Sequence, residues 1–242
     1  MRAIILRYLV GAGVILAFGS AKANPIDDCN QNPDAAKQID GCTEFLTLEP
    51  ESPYIALAYG LRGGAYQKKG DLNRAVADFN QAIQIDPGQA RLYLARGLVY
   101  RDKHDLERAI ADFSKAIAID SRFANALVNR CVTYNEMGQF ELAIKDCNAA
   151  IAIDATDAVA YNDRGVAEEK KGDIDSALAD YAKAIELDPS YRDAYANRAV
   201  LYDHKGQKDR AIADYRAALA KNSSEENRKD LEAALQRLGA GH

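Results

Sequence analysis

The chain has 242 residues, which allows one elongated domain or at most two compact ones. Hydrophobic residues make up 48% and charged residues 28%, so a core can be buried and the composition is not that of a disordered chain. A formal net charge of −5 lacks the basic surplus of a nucleic-acid binder.

Residues 1–23 follow the plan of a secretory signal peptide. Arg2 and Arg7 precede an apolar run from Tyr8 to Phe18, and Ala21-Lys22-Ala23 ends it as a small-x-small cleavage site. The run is too short to span a bilayer comfortably. Cleavage after Ala23 is expected, with a periplasmic or secreted product and no membrane span in the mature chain. It would remove Arg2, Arg7 and Lys22 and no acidic residue, moving the net charge from −5 to −8.

Residues 24–55 are expected to form an N-terminal cap. Ile39–Pro50 echoes half of the repeat unit that follows, out of register by about three residues. The stretch also holds Cys29 and Cys42, with little apolar sequence to form a core of its own.

From residue 56 the chain repeats with a period of 34 and no gap. "GDLNRAVADFNQAIQIDP" begins at Gly70, and its counterparts begin at His104, Gly138, Gly172 and Gly206. Each is preceded by a second segment, such as "YLARGLVY" or "YANRAVLY", with apolar residues at helical spacing. A Gly or His separates the two segments, and Pro87 and Pro189 close two units. Each unit therefore reads as a helix–turn–helix hairpin that must stack on its neighbours to bury its apolar face. The predicted units are 56–89, 90–123, 124–157, 158–191 and 192–225. In 226–242, Leu231, Leu235 and Leu238 give a capping helix, with Ser223 and Glu226 as a capping-box pair before them.

These units resemble the tetratricopeptide repeat family. The period fits, as do Tyr59, Tyr93, Tyr161 and Tyr195 early in the first helix, the small residues Gly63, Gly97, Gly165 and Ala199, and Tyr66, Tyr100, Tyr134 and Tyr202. Ala75, Ala109, Ala143, Ala177 and Ala211 complete the pattern in the second helix, and Glu168 departs from it. The resemblance implies an all-α, right-handed α-solenoid of stacked repeats.

Every unit carries an Arg (62, 96, 130, 164, 198) and an Asp (78, 112, 146, 180, 214). A charge between packed helices needs a partner, and the counts match copy for copy, so these pairs read as interhelical salt bridges rather than an anion-binding row.

Cys131 takes the place of the small residue and Cys147 the place of the second-helix aromatic. They are symmetric about Gln139, beside the turn, and so should face each other near disulfide distance. An exported chain meets an oxidising compartment. Four cysteines permit three pairings; proximity favours Cys29–Cys42 with Cys131–Cys147. Buried free thiols are the alternative, and a metal site has no nearby His to support it.

His104, His204 and His242 read as surface residues. The sequence has no nucleophile elbow, phosphate loop, metal-ligand cluster or nucleotide fingerprint, so no enzyme activity and no cofactor are expected. In the family the first helices line a concave, peptide-binding face. Carried over by register, that lining includes Arg91, Arg101, Asn125, Asn129, Asn162, Asp163, Asp193 and Asn197. Asn129 and Asn197 match the groove asparagine that bonds a peptide backbone in some members. The basic residues of the chaperone-type carboxylate clamp are missing. The face also polarises: Lys68, Arg91 and Arg101 against Asp102 early, then Glu136, Asp163, Glu169, Asp193 and Asp203 against Lys170 late. The expected function is a protein- or peptide-binding adaptor. The alternative is a structural, self-associating subunit of a cell-envelope assembly, a homo-oligomer.

Overall fold

A computed structural model describes residues 29–30, 33–221 and 225–240. The predicted signal peptide, its cleavage site, Ser223 and His242 lie outside the described residues. Twelve helices and no strand occur among the described residues. Helix α1 is Ala35–Leu48. Five hairpins follow: α2 (Ile55–Lys68) with α3 (Leu72–Ile85), α4 (Ala90–Asp102) with α5 (Leu106–Ile119), α6 (Ala124–Glu136) with α7 (Phe140–Ile153), α8 (Ala158–Lys171) with α9 (Ile174–Leu187), and α10 (Arg192–His204) with α11 (Lys208–Leu219). Helix α12 is Glu225–Arg237.

The hairpin turns are set by one backbone requirement. Gly70, Gly138, Gly172 and Gly206 hold φ between 70° and 90°, and His104 holds 57° at the same point. Only that left-handed residue lets the next N–H turn back into the first helix, as when Asp71 N–H donates to the Tyr66 carbonyl at 2.9 Å. Asp71, Asp105 and Asp173 then cap the second helix through their carboxylates. Gln139 and Gln207 occupy that position without a side-chain bond.

The first helices of neighbouring hairpins (α2, α4, α6, α8, α10) pack against one another, while the second helices do not pack together to a comparable extent. The array therefore curves with the first helices inside. Packing within each hairpin turns on a small residue opposite an aromatic ring. A Cβ added at Gly97 would lie 2.6 Å from the Phe113 ring, and one at Gly165 would lie 2.8 Å from Tyr181. In the third hairpin Cys131 and Cys147 replace such a pair and are joined by a disulfide with no exposed surface. A second disulfide, Cys29–Cys42, ties the incoming chain to α1.

The repeated charges pair as expected. Arg62, Arg96, Arg130, Arg164 and Arg198 each donate two parallel hydrogen bonds, of 2.6–2.9 Å, to the aspartate sixteen residues on. The aspartates are buried, and a two-point fork is the strong form of this contact. The third guanidinium nitrogen reaches back to the preceding unit: Thr43, Asn80, Ser114 and Asn148 accept from the first four arginines. The corresponding residue for Arg198 is Ala182, which cannot accept. Each arginine thus ties its hairpin internally; Arg62 also ties the first hairpin to α1, and Arg96, Arg130 and Arg164 tie theirs to the hairpin before.

Candidate functional site

The inner face presents one residue per unit immediately before the paired arginine, and in the last three units these are Asn129, Asp163 and Asn197. Around them lies a groove section of about 460 Å³. Arg101 of α4 lines one end. Asn125, Val128, Asn129 and Val132 come from α6. Asp157, Val159, Asn162 and Asp163 come from the start and middle of α8, and Tyr191 and Asp193 from the start of α10. Six of the eight residues expected from register are brought together there: Arg101, Asn125, Asn129, Asn162, Asp163 and Asp193. Asn197 stands beside them, its Nδ2 donating to Asn162 Oδ1 at 3.1 Å. Arg91 is not part of this cluster; it is exposed at the start of α4.

Sequence reasoning missed the apolar part. Val128 and Val132 are one turn apart on α6, and Val159 is 40% exposed at the mouth of the groove. It also missed Asp157 and Tyr191, the N-cap residues just before α8 and α10 in adjacent units. Their spacing of 34 was the available signal. Asp157 is held in place by accepting from the Val159 and Ala160 N–H groups.

The polar groups differ in how far they are already engaged. Asn129 accepts from Arg101 at 3.0 Å and donates to the Asn125 carbonyl at 2.7 Å, so both ends of its amide are in use. Asn162 is 4% exposed; its oxygen is taken by Asn197, and its Nδ2 has no acceptor among the described residues. Asp193 pairs with Arg192. The half-buried Asp163 carboxylate has no hydrogen-bond or ion-pair partner among the described residues. Its main-chain oxygen accepts from Asn135 at 2.8 Å, which fixes α8 against α6. Burial pushes the Asp163 pKa up to about 7; Arg101 pulls it down, and Asp157, Asp193 and Glu136 raise it further.

The acidic end of the face is narrower than composition implied. Asp203 is neutralised by Arg237 of the capping helix, and Glu169 accepts from the buried Tyr181 hydroxyl at 2.9 Å. At the basic end, Gln67 donates to Asp102. The acids without an ion pair among the described residues therefore gather at Asp157, Asp163 and Glu136, with Asp193 next to them and Asp163 only partly ionised near neutrality.

Models of the tetratricopeptide repeat match residues 63–103, 90–123, 124–157, 158–191 and 181–213, a continuous stretch through all five hairpins. The chain belongs to the tetratricopeptide repeat family. Solved structures of this fold agree. A tetratricopeptide repeat protein from Parabacteroides merdae is 18% identical, with a TM-score of 0.73, covering 86% of this chain and 81% of that one. MamA is 26% identical, TM-score 0.59, over 69% of this chain and 95% of that one. YrrB, described as a repeat protein with an unusual peptide-binding site, is 22% identical, TM-score 0.59, over 81% and 99%. No curated protein matches the chain's sequence. Among the described residues of this repeat protein, no helix is long and apolar enough to cross a membrane.

Proposed function

We propose that this repeat protein is a non-enzymatic scaffold that binds an extended segment of a protein partner in the groove between its second and fifth repeats. The observation that carries the reading is the convergence of Arg101, Asn162, Asp163 and Asp193, from the second, fourth and fifth repeats, around an apolar floor of valines from the third and fourth. Such a floor supplies area, and the few polar groups above it fix orientation. Repeats of this family are generally non-catalytic scaffolds, and YrrB, with its unusual peptide-binding site, gives a precedent for peptide binding on the same fold.

We place the protein in the periplasm or outside the cell, after cleavage behind Ala23. Two buried disulfides support an oxidising compartment. Mass spectrometry of the protein from its native compartment should find Asn24 as the first residue; a chain retaining Met1 in the cytoplasm would end this part of the reading.

The test of the groove uses peptides selected from a random display library on the folded protein. Asn125→Arg with Val159→Arg fills the groove from two residues that face solvent. Affinity for the selected peptides should fall at least tenfold with thermal unfolding unchanged. Unaltered affinity in this double variant contradicts the proposal.

A further inference from the structure

We infer that the groove selects a segment carrying a lysine, whose side chain lies along Val128, Val132 and Val159 with its ammonium among Asp157, Asp163 and Asp193. This rests on the groove reading above and names the residue class that the bound segment must supply.

Three observations converge. The first is shape and polarity: the valines offer an apolar wall, and the carboxylates lie in the same cavity. A lysine has a four-carbon stem for the one and a compact ammonium for the other. The second is unspent charge. Asp163 is half-buried and makes no ion pair or hydrogen bond with a described residue, although arginines elsewhere in every repeat are matched to an aspartate. An ionised carboxylate so placed is costly until a cation reaches it. The third is the donor left over on Asn162, nearly fully buried and lining the same cavity. It can hold a carbonyl of the segment while the ammonium meets the acids.

Lysine fits better than arginine. The acids come from separate points: one caps α8, one lies mid-helix and one is in the first turn of α10. A guanidinium presents its donors as a flat fork suited to one carboxylate, whereas an ammonium points three donors at three directions.

Charged and titratable groups face Asp163 from every packed element. Arg101 comes from α4, Glu136 from α6, Asp157 from the start of α8, Tyr181 from α9, and Tyr191 and Asp193 from α10. Burial and the neighbouring acids hold the Asp163 proton to near neutrality. Binding of an ammonium requires the ionised form, so affinity should rise with pH through that range.

The experiment sequences the peptides selected by display and measures their affinities by calorimetry at pH 6 and pH 8. Lysine should be enriched at one fixed position. Replacing it with norleucine, which keeps the stem and removes the charge, should weaken binding about tenfold; arginine should be intermediate. Lysine peptides should bind several-fold tighter at pH 8 than at pH 6, and Asp163→Asn should remove both the lysine preference and the pH effect. Circular dichroism confirms that this near-isosteric variant is folded. Peptides that are excluded by Asn125→Arg with Val159→Arg but carry no lysine preference overturn this inference and leave the groove intact. Peptides indifferent to that double variant, or no selected peptide at all, overturn both.

Discussion

Asp163 is the residue where folding and binding pull in opposite directions. Its carboxyl titrates near pH 7 in the folded chain against an ordinary value of 3.8, chiefly through burial. Between those values the folded state holds a proton that the unfolded state has lost. Stability therefore falls as pH rises from about 4 to about 7, and the loss is complete above the folded value. Asp163→Asn should remove this slope and stabilise the unliganded protein at pH 8 by about 2 kcal/mol, solvent at the groove mouth screening part of the effect. At pH 5 the gain should be roughly a third as large. Urea unfolding at the two pH values checks this; equal effects at both would show that Asp163 is not held protonated by its surroundings. A variant that is more stable yet binds worse is the expected mark of a functional residue.

At the scale of the helical hairpin, the third unit replaces an aromatic ring on glycine with a disulfide. Cys131→Ser with Cys147→Ser loses the cross-link and leaves two small polar groups buried, and should cost about 3 kcal/mol. Cys131→Gly with Cys147→Phe restores the pairing of Gly97 with Phe113 and should recover most of that loss without responding to reductant. Cys147→Phe alone should be worse than the double variant, because a Cβ opposite the ring would meet it within 3 Å in the second and fourth units. Denaturant midpoints with and without reductant decide it; a double variant no better than the serine pair contradicts the equivalence. The same hairpin and the fifth lack an N-cap bond. Gln139→Asp and Gln207→Asp should each stabilise by about 0.5–1 kcal/mol, read as a rise in the unfolding midpoint. The hairpins, the arginine–aspartate ties and the central disulfide were legible in the sequence because each depends on residues within one unit. The arginine's third bond to the preceding unit was not, since it needs the stacking geometry. Neither was the engagement of Asn129, whose oxygen accepts from Arg101 and whose Nδ2 donates to the Asn125 carbonyl, whereas Asn162 Nδ2 makes no bond to a described residue.

At the scale of the whole molecule, each hairpin touches only its neighbours, so the repeat period alone determines the solenoid. The groove is different. Its chemistry assembles from four successive repeats, and a residue's role depends on what the others leave unpaired. Asp203 and Asp163 are both acids expected on the inner face, yet α12 supplies Arg237 to one, while no described residue forms an ion pair with the other and Arg101 acts on it only from a distance. The valine floor was hidden because apolar residues on a first helix are ordinarily core. The capping helix closes the far end by packing Leu231 and Leu235 on Tyr215 and Ala218. The central claim is that this inner face holds the partner. It is tested most directly by giving a display-selected peptide a photoreactive residue and mapping where it cross-links. The cross-links should fall on α6, α8 and the start of α10, at residues around Val128, Val159 and Tyr191. Cross-links confined to the outer helices α7, α9 and α11, or to α1 and α12, would contradict it.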